Sequence, residues 1–249
     1  MNRLLICMVF VGTCGANDAL TDAAWWGPVP TRDAETLRSG QWAFQAGAGV
    51  GAQDGPDTHG AVQAAVLWHA EEILRNRGEH YGPFPDFAKE WLRVVGRVAQ
   101  DQSSGGRRQT TAAVSVGWFS SGMLEARGEV GWTSGIGAFL DAEGCFLFTR
   151  CRVELSESRR VVSVGPIFRE AGTAGLWAWH VAGGWRTVSV REGAMWRDGD
   201  GGFAAGSVHY RFMNHLLVSA TAETVSEEPR LDRADGPAER GSLAISWLF

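Results

Sequence analysis

The chain carries six histidines, His59, His69, His80, His180, His209 and His215. Each is a potential base for a serine or cysteine nucleophile, provided that a hydroxyl or thiol lies within hydrogen-bond reach. In an extended strand, residues i and i+2 share a face, so the spacing that presents such a pair is His-x-Ser. None of the six histidines is followed at i+2 by a nucleophile. Pairs formed across strands stay open, and His209 reads as an interior residue satisfied by Arg or Glu neighbours. No catalytic residue is singled out. The Cys and His spacings do not suit zinc, so no metal site is expected. Gly47-Ala48-Gly49-Val50-Gly51 lacks the following helix with Lys-Ser/Thr that a phosphate loop needs, and no cofactor is expected. Those glycines fit a strand beside a crowded interior. Trp177 and Trp179 could stack on a sugar, but alternate aromatics on a strand fit a bilayer interface better.

The remaining chemistry is charge in strict alternation. Glu125, Arg127 and Glu129 share one face of a segment whose other face is Leu124, Ala126, Val130 and Trp132. Arg150 and Arg152 recur in the same way with Glu154, as do His209 and Arg211 opposite Val208, Tyr210 and Phe212. An Arg at a bilayer midplane costs about 2–4 kcal/mol, so in a membrane barrel Glu125, Arg127, Glu129, Arg150, Arg152, His209 and Arg211 belong in the lumen. Trp42, Trp118, Trp132, Tyr210 and Phe212 would then mark the membrane interfaces. In a soluble sandwich the charged face would simply be solvated.

The elements that position these residues are mostly strands. Trp42, Phe44, Ala46, Ala48, Val50 and Ala52 alternate against Gln41, Ala43, Gln45, Gly47, Gly49 and Gly51. A second run places Val62, Ala64, Val66 and Trp68 on one face, and its Ala-rich stretch could continue as a helix through Leu74. Further strands are expected at 108–118, 124–132, 136–141, 145–155, 160–169, 175–191, 203–212, 216–225 and the C-terminus, with 175–191 read as one strand or as two broken at Gly183-Gly184. Residues 83–100 break the rhythm. Phe87, Trp91, Val94, Val95 and Val98 recur at helical spacing, with Asp86 as N-cap and Lys89, Glu90, Arg93 and Arg97 on the other side. An amphipathic helix at 86–98 is therefore expected as an insertion that could plug a lumen.

The ends suggest the compartment. Arg3, the apolar run Leu4 to Val11 and Cys14-Gly15-Ala16 form the pattern of a cleavable export signal over 1–16. Residues 17–40, with Pro28 and Pro30, read as a loosely structured periplasmic lead-in, leaving 41–249 for one domain. Of four cysteines, Cys145 and Cys151 lie outside the signal. Within one strand they would stand roughly 20 Å apart, so a disulfide between them would require a loop. The net charge of −5 comes without a basic stripe, and no nucleic-acid partner is expected. The 33 glycines and 12 tryptophans accompany a slightly negative mean hydropathy, as suits a wall that is apolar only on alternate residues.

The last seven residues place Leu243, Ile245, Trp247 and Phe249 on one face and Ala244 and Ser246 on the other. This strand resembles the C-terminal strand of bacterial outer-membrane β-barrels, whose final Phe is read by the barrel-assembly machinery. Trp26 to Asp33, Ser39-Gly40-Gln41-Trp42 and Gly82 to Phe87 resemble segments of an uncharacterised family of larger outer-membrane barrels, which names no activity. The resemblance implies an all-β fold: a transmembrane, antiparallel, up-and-down barrel in the outer membrane of a Gram-negative bacterium. The pattern gives it about twelve strands, with ten as the alternative, and one helical insertion. With the C-terminus in the periplasm, Met213-Asn214 is a short periplasmic turn, while 226–240 and 192–202 are longer outer loops. The expected partners are outer-membrane lipid, lipopolysaccharide, the assembly machinery and small solutes. The expected role is a small porin-like or structural barrel with a charged, partly obstructed lumen. A lipid- or peptide-hydrolysing outer-membrane enzyme and a soluble secreted β-domain are the alternatives.

Overall fold

The computed structural model describes residues 41–53, 57–71, 90–120, 124–171, 177–212, 215–228 and 236–249. The export segment, the lead-in and residues 83–89 lie outside that set. Twelve antiparallel strands close on themselves: β1 Gln41–Gln53, β2 Asp57–Glu71, β3 Glu90–Ser103, β4 Arg108–Ser120, β5 Leu124–Thr133, β6 Gly137–Phe146, β7 Thr149–Ser156, β8 Arg159–Ala171, β9 Trp177–Glu192, β10 Met195–Phe212, β11 Leu216–Glu228 and β12 Gly236–Leu248. Every strand pairs with its sequence neighbours, and β1 pairs with β12 in a register that sets Ala48 against Ile245. Closure leaves no sheet edge to template aggregation, which an open sheet of this size would have.

Alternation fixes which face points where. On β1, Trp42, Phe44 and Val50 are exposed while Ala43 and Gln45 are buried. On β4, Val114 and Val116 point out while Thr111, Ala113 and Ser115 point in. Inside-facing positions are rich in small residues, because side chains from twelve strands converge on one axis.

The expected helix is overturned over its described part. Residues 90–103 form β3, paired residue by residue with β2 and β4. Val95 is 1% exposed and Val98 55%, so the two valines that would share a helix face lie on opposite faces of a wall strand. Arg93 and Arg97, expected on a solvated helix side, are both buried and point inward. The sequence here satisfies both periods. The β-branched Val94, Val95 and Val98 and two flanking ladders decide for the strand.

The break expected between 136–141 and 145–155 is displaced: β6 runs on to Phe146, and β6 and β7 are joined by Leu147-Phe148 alone. Leu147 takes φ 55°, a left-handed conformation seldom adopted without Gly or Asn, so the turn carries no sequence signal. Cys145 is buried and inward, Cys151 is exposed and outward, and both are free. Conversely, the segment with the expected break at Gly183-Gly184 is one strand over its described part, Trp177–Glu192. Its Gly183-Gly184 marks a distortion where β9 crosses Pro166 of β8: Gly184 has φ 142° and an added Cβ would overlap the Val164 carbonyl. The total of twelve was thus reached through a missed strand and an extra division that cancel.

The connections differ from the expected asymmetry. The 192–202 segment is not a loop, since β9 reaches Glu192 and β10 starts at Met195. Over Met195–Gly202, β10 pairs with β9 and has no described partner on β11, while β9 stays paired with β8 as far as Val190, so β10 extends past the paired part of β11 on that side of the wall. The expected 226–240 loop is partly strand, since β11 reaches Glu228 and β12 starts at Gly236.

Candidate functional site

The inner wall divides into an ionic belt and a neutral face. On β3 and β5, Arg97 Nε donates to Glu129 Oε2 at 3.1 Å, reaching across the small side chains of β4. Glu143 on β6 accepts from Arg127 at 3.0 Å and from Arg150 at 2.7 Å. Arg152 meets Asp141 through two parallel bonds of 3.1 and 2.8 Å, the fork geometry that guanidinium and carboxylate share. Glu154 lies 3.2 Å from Arg152 and 3.1 Å from Arg159. Arg186 on β9 spans β10 to reach Glu223 on β11 at 2.9 Å, and Arg240 on β12 is 3.4 Å from the same carboxylate. On the inner face of β10, Gly201 lies opposite Arg186 and Ala205 opposite Glu223, small residues that leave room for that crossing. The belt exists because a charge removed from bulk water is costly unless an opposite charge and hydrogen bonds meet it.

The neutral face runs over β9 to β12, β1 and β2. Its centre is a chain of hydroxyls and imidazoles. Ser207 Oγ lies 2.9 Å from His180 Nδ1 and 2.8 Å from His209 Nε2, and His209 Nδ1 is 2.9 Å from Ser219 Oγ. Thr221 and Ser242 share a hydrogen bond at 2.7 Å, and Gln45 Nε2 donates to Ser246 at 2.7 Å. Paired Cα positions put His180, Ser207, Thr221, Ser242, Gly51, His59 and Ser103 in one continuous row around this side. A cavity of about 1330 Å³ lies against that row. At the row's far end His59 Nδ1 is 3.2 Å from Asp101.

The seven expected lumen residues all point inward. Glu125, Arg150, His209 and Arg211 are buried, and Arg127, Glu129 and Arg152 are partly so. The structure joins Arg127 to Arg150 through Glu143, which the sequence reading did not name as a lumen residue, and gives Glu129 a partner, Arg97, that had been assigned to a helix. His209 departs from expectation: its ring nitrogens meet two serines. The signal was available. Same-face spacing in a strand works in both directions, and Ser207-x-His209 is the reverse of the spacing sought.

The expected interface aromatics separate by end. Trp42 and Trp68 stand 6.4 Å apart by ring centroid, Phe148 and Phe168 6.1 Å, and Trp247 and Phe249 6.5 Å. Tyr210 lies opposite Trp177, and Phe212 opposite Leu216 beside Trp247. With Trp118 near the end of β4, these gather at the end holding the C-terminus, whereas Trp132 sits at the opposite end of β5. Phe249 exchanges both backbone hydrogen bonds with Phe44, at 3.2 and 2.7 Å, so the last residue completes the closing seam.

No family model matches the chain, and no curated protein sequence matches it. Several solved structures are similar to it. An outer-membrane channel from Pseudomonas putida F1 is 11% identical, with TM-score 0.38 over 88% of this chain and 98% of that one. The translocator domain of the autotransporter NalP from Neisseria meningitidis is 9% identical, with TM-score 0.33 over 94% and 97%. OccK5 from Pseudomonas aeruginosa is 10% identical, with TM-score 0.28 over 87% and 99%. What this barrel does is carried by its own residues.

Proposed function

We propose that the protein spans the outer membrane as a small porin-like barrel whose lumen is narrowed by paired charges. The observation that carries this reading is the inverted distribution of polarity: Arg186 is 3% exposed while Trp42 is 65% exposed. From Trp42 to Ala52 the outward positions of β1 carry no charge, and the same holds from Ala112 to Trp118, from Ala126 to Trp132, from Ala204 to Phe212 and from Leu243 to Trp247. A stretch such as 42–52 extends about 33 Å along the strand, and barrel tilt projects that to about 25 Å, the height of a lipid-facing band. In water so large an apolar surface would drive association.

In this reading, lipid and lipopolysaccharide cover the outer face. The aromatic-rich end, with Leu243, Ile245, Trp247 and Phe249, is the periplasmic one and presents the strand that the assembly machinery reads, after residues 1–16 have directed export. Twelve strands enclose more space than the eight that side chains can fill and less than the sixteen of a wide aqueous channel. Obstruction comes from the wall itself, namely the arginines and carboxylates that bridge across intervening strands, because residues 90–100 belong to that wall. Planar-bilayer recording of the refolded full chain tests the proposal. A conductance well below that of a sixteen-stranded porin, raised when Arg186 and Glu223 are jointly replaced by Ala, is expected. A wide channel in the unmodified protein, or no change in the double variant, contradicts it.

A further inference from the structure

Ser207 and its neighbours satisfy the geometry of an activated nucleophile. A serine hydroxyl has one proton to donate, and here it stands between two imidazole nitrogens, His180 Nδ1 at 2.9 Å and His209 Nε2 at 2.8 Å. His209 is itself held on its far side, with Nδ1 at 2.9 Å from Ser219 Oγ, and is 0% exposed. A base fixed through one nitrogen presents the other to the nucleophile in a single orientation, which is the arrangement that general-base activation requires. His209 belongs behind Ser207, and His180 beside it on the cavity wall. The cavity of about 1330 Å³ touches Ser207 and His180, so a small molecule inside it could reach the hydroxyl while the base stays shielded. The charged pairs of the inner wall are satisfied by one another, Glu223 and Arg240 two residues from Thr221 and Ser242 among them, whereas the row itself contributes only hydroxyls, glycine and imidazoles.

We propose that Ser207 is the nucleophile of an acyl-transfer centre inside the lumen, with His209 as its general base, acting on uncharged carboxylic esters. This goes beyond the pore reading and does not depend on conduction. In the first step Ser207 Oγ bonds to the ester carbonyl carbon, its proton passes to His209 Nε2, and the C–O bond to the alcohol breaks as that proton is returned to the departing alkoxide. In the second step water attacks the acyl-serine, gives its proton to His209, and releases the carboxylic acid as Ser207 recovers its own. His180 Nδ1, 2.9 Å from Ser207 Oγ, stands beside the nucleophile as a donor in the tautomer that carries its proton there. Ser219 is a positioning residue, since it acts only through His209.

The test is covalent labelling of the folded full chain in detergent with a fluorescent fluorophosphonate, followed by mass spectrometry of the labelled peptide. Heat-modifiable migration certifies each variant as folded. The expected result is one adduct, on Ser207. Ser207→Ala abolishes it, and His209→Asn slows it by about 10²-fold or more, the scale of general-base assistance. Ser246→Ala, a luminal serine whose partner is Gln45 instead of an imidazole, leaves labelling unchanged. Ser219→Ala shifts the pH profile of labelling because the imidazole loses its fixed orientation, a change that lost packing alone does not produce. Absence of an adduct on the folded wild type overturns the proposal, as does an adduct elsewhere or an unchanged rate in folded His209→Asn.

Discussion

Glu143→Gln removes the carboxylate that two guanidinium groups share. Glu143 holds Arg127 at 3.0 Å and Arg150 at 2.7 Å, and the three side chains are 9, 15 and 8% exposed. The amide keeps the shape and one acceptor oxygen but not the charge. Two like charges on β5 and β7 then face each other across β6 with no counter-charge at their centre. Breaking a buried pair by removing one partner costs about 3–5 kcal/mol. Lumen water screens the residual charges, so the lower end, about 3 kcal/mol, is expected. With a urea dependence of about 2 kcal/mol per M, the unfolding midpoint should fall by roughly 1.5 M. The assay is urea titration of the vesicle-inserted protein, read by tryptophan fluorescence and heat-modifiable migration. Adding Arg150→Met to Glu143→Gln removes one of those like charges and should recover part of the loss. An unchanged midpoint in Glu143→Gln, or two losses that simply add in the double variant, would refute the idea that shared charge neutralisation holds this wall together.

Gly184→Ala should lower stability by about 1–3 kcal/mol, the scale of a strained non-glycine conformation, because φ is 142° and the new Cβ meets the Val164 carbonyl. The same urea titration measures it, and a wild-type midpoint would show that the β8–β9 crossing relaxes freely. Deleting Phe249 removes both backbone bonds to Phe44 and the end of the proposed assembly strand. The fraction that shows heat-modifiable migration should fall while the exported amount, measured by immunoblot, stays constant. Equal assembly at low expression would disconnect this residue from insertion.

Much of the barrel was legible because a wall strand between an apolar exterior and a polar interior must alternate. β1, β4, β5, β10 and β12 announce themselves in this way, and their inward charges follow directly. β3 did not, since Val94-Val95 and the i, i+4 pair Arg93 and Arg97 fit a helix as well as a strand, and only pairing with β2 and β4 separates the two. The β6–β7 turn was hidden because Leu147 and Phe148 carry none of the usual turn chemistry. The site was legible only in part. Alternation identifies which charges point inward, but partner choice depends on register and on which residues are small enough to be crossed, as Gly201 and Ala205 are beneath Arg186 and Glu223. The serine–histidine chain joins β9, β10 and β11, and only Ser207-x-His209 lies within one strand where spacing could reveal it.

The inverted polarity is tested most directly by tryptophan fluorescence of the folded protein in vesicles whose acyl chains carry bromine, compared with unbrominated vesicles. Trp42, Trp132, Trp185 and Trp247 are 65, 52, 54 and 45% exposed, all on the outward face. If that face meets lipid, emission is strongly quenched by brominated chains and unaffected by a water-soluble quencher such as iodide. Emission that ignores bromine and is quenched by iodide, from protein that stays dispersed without detergent, would contradict the account.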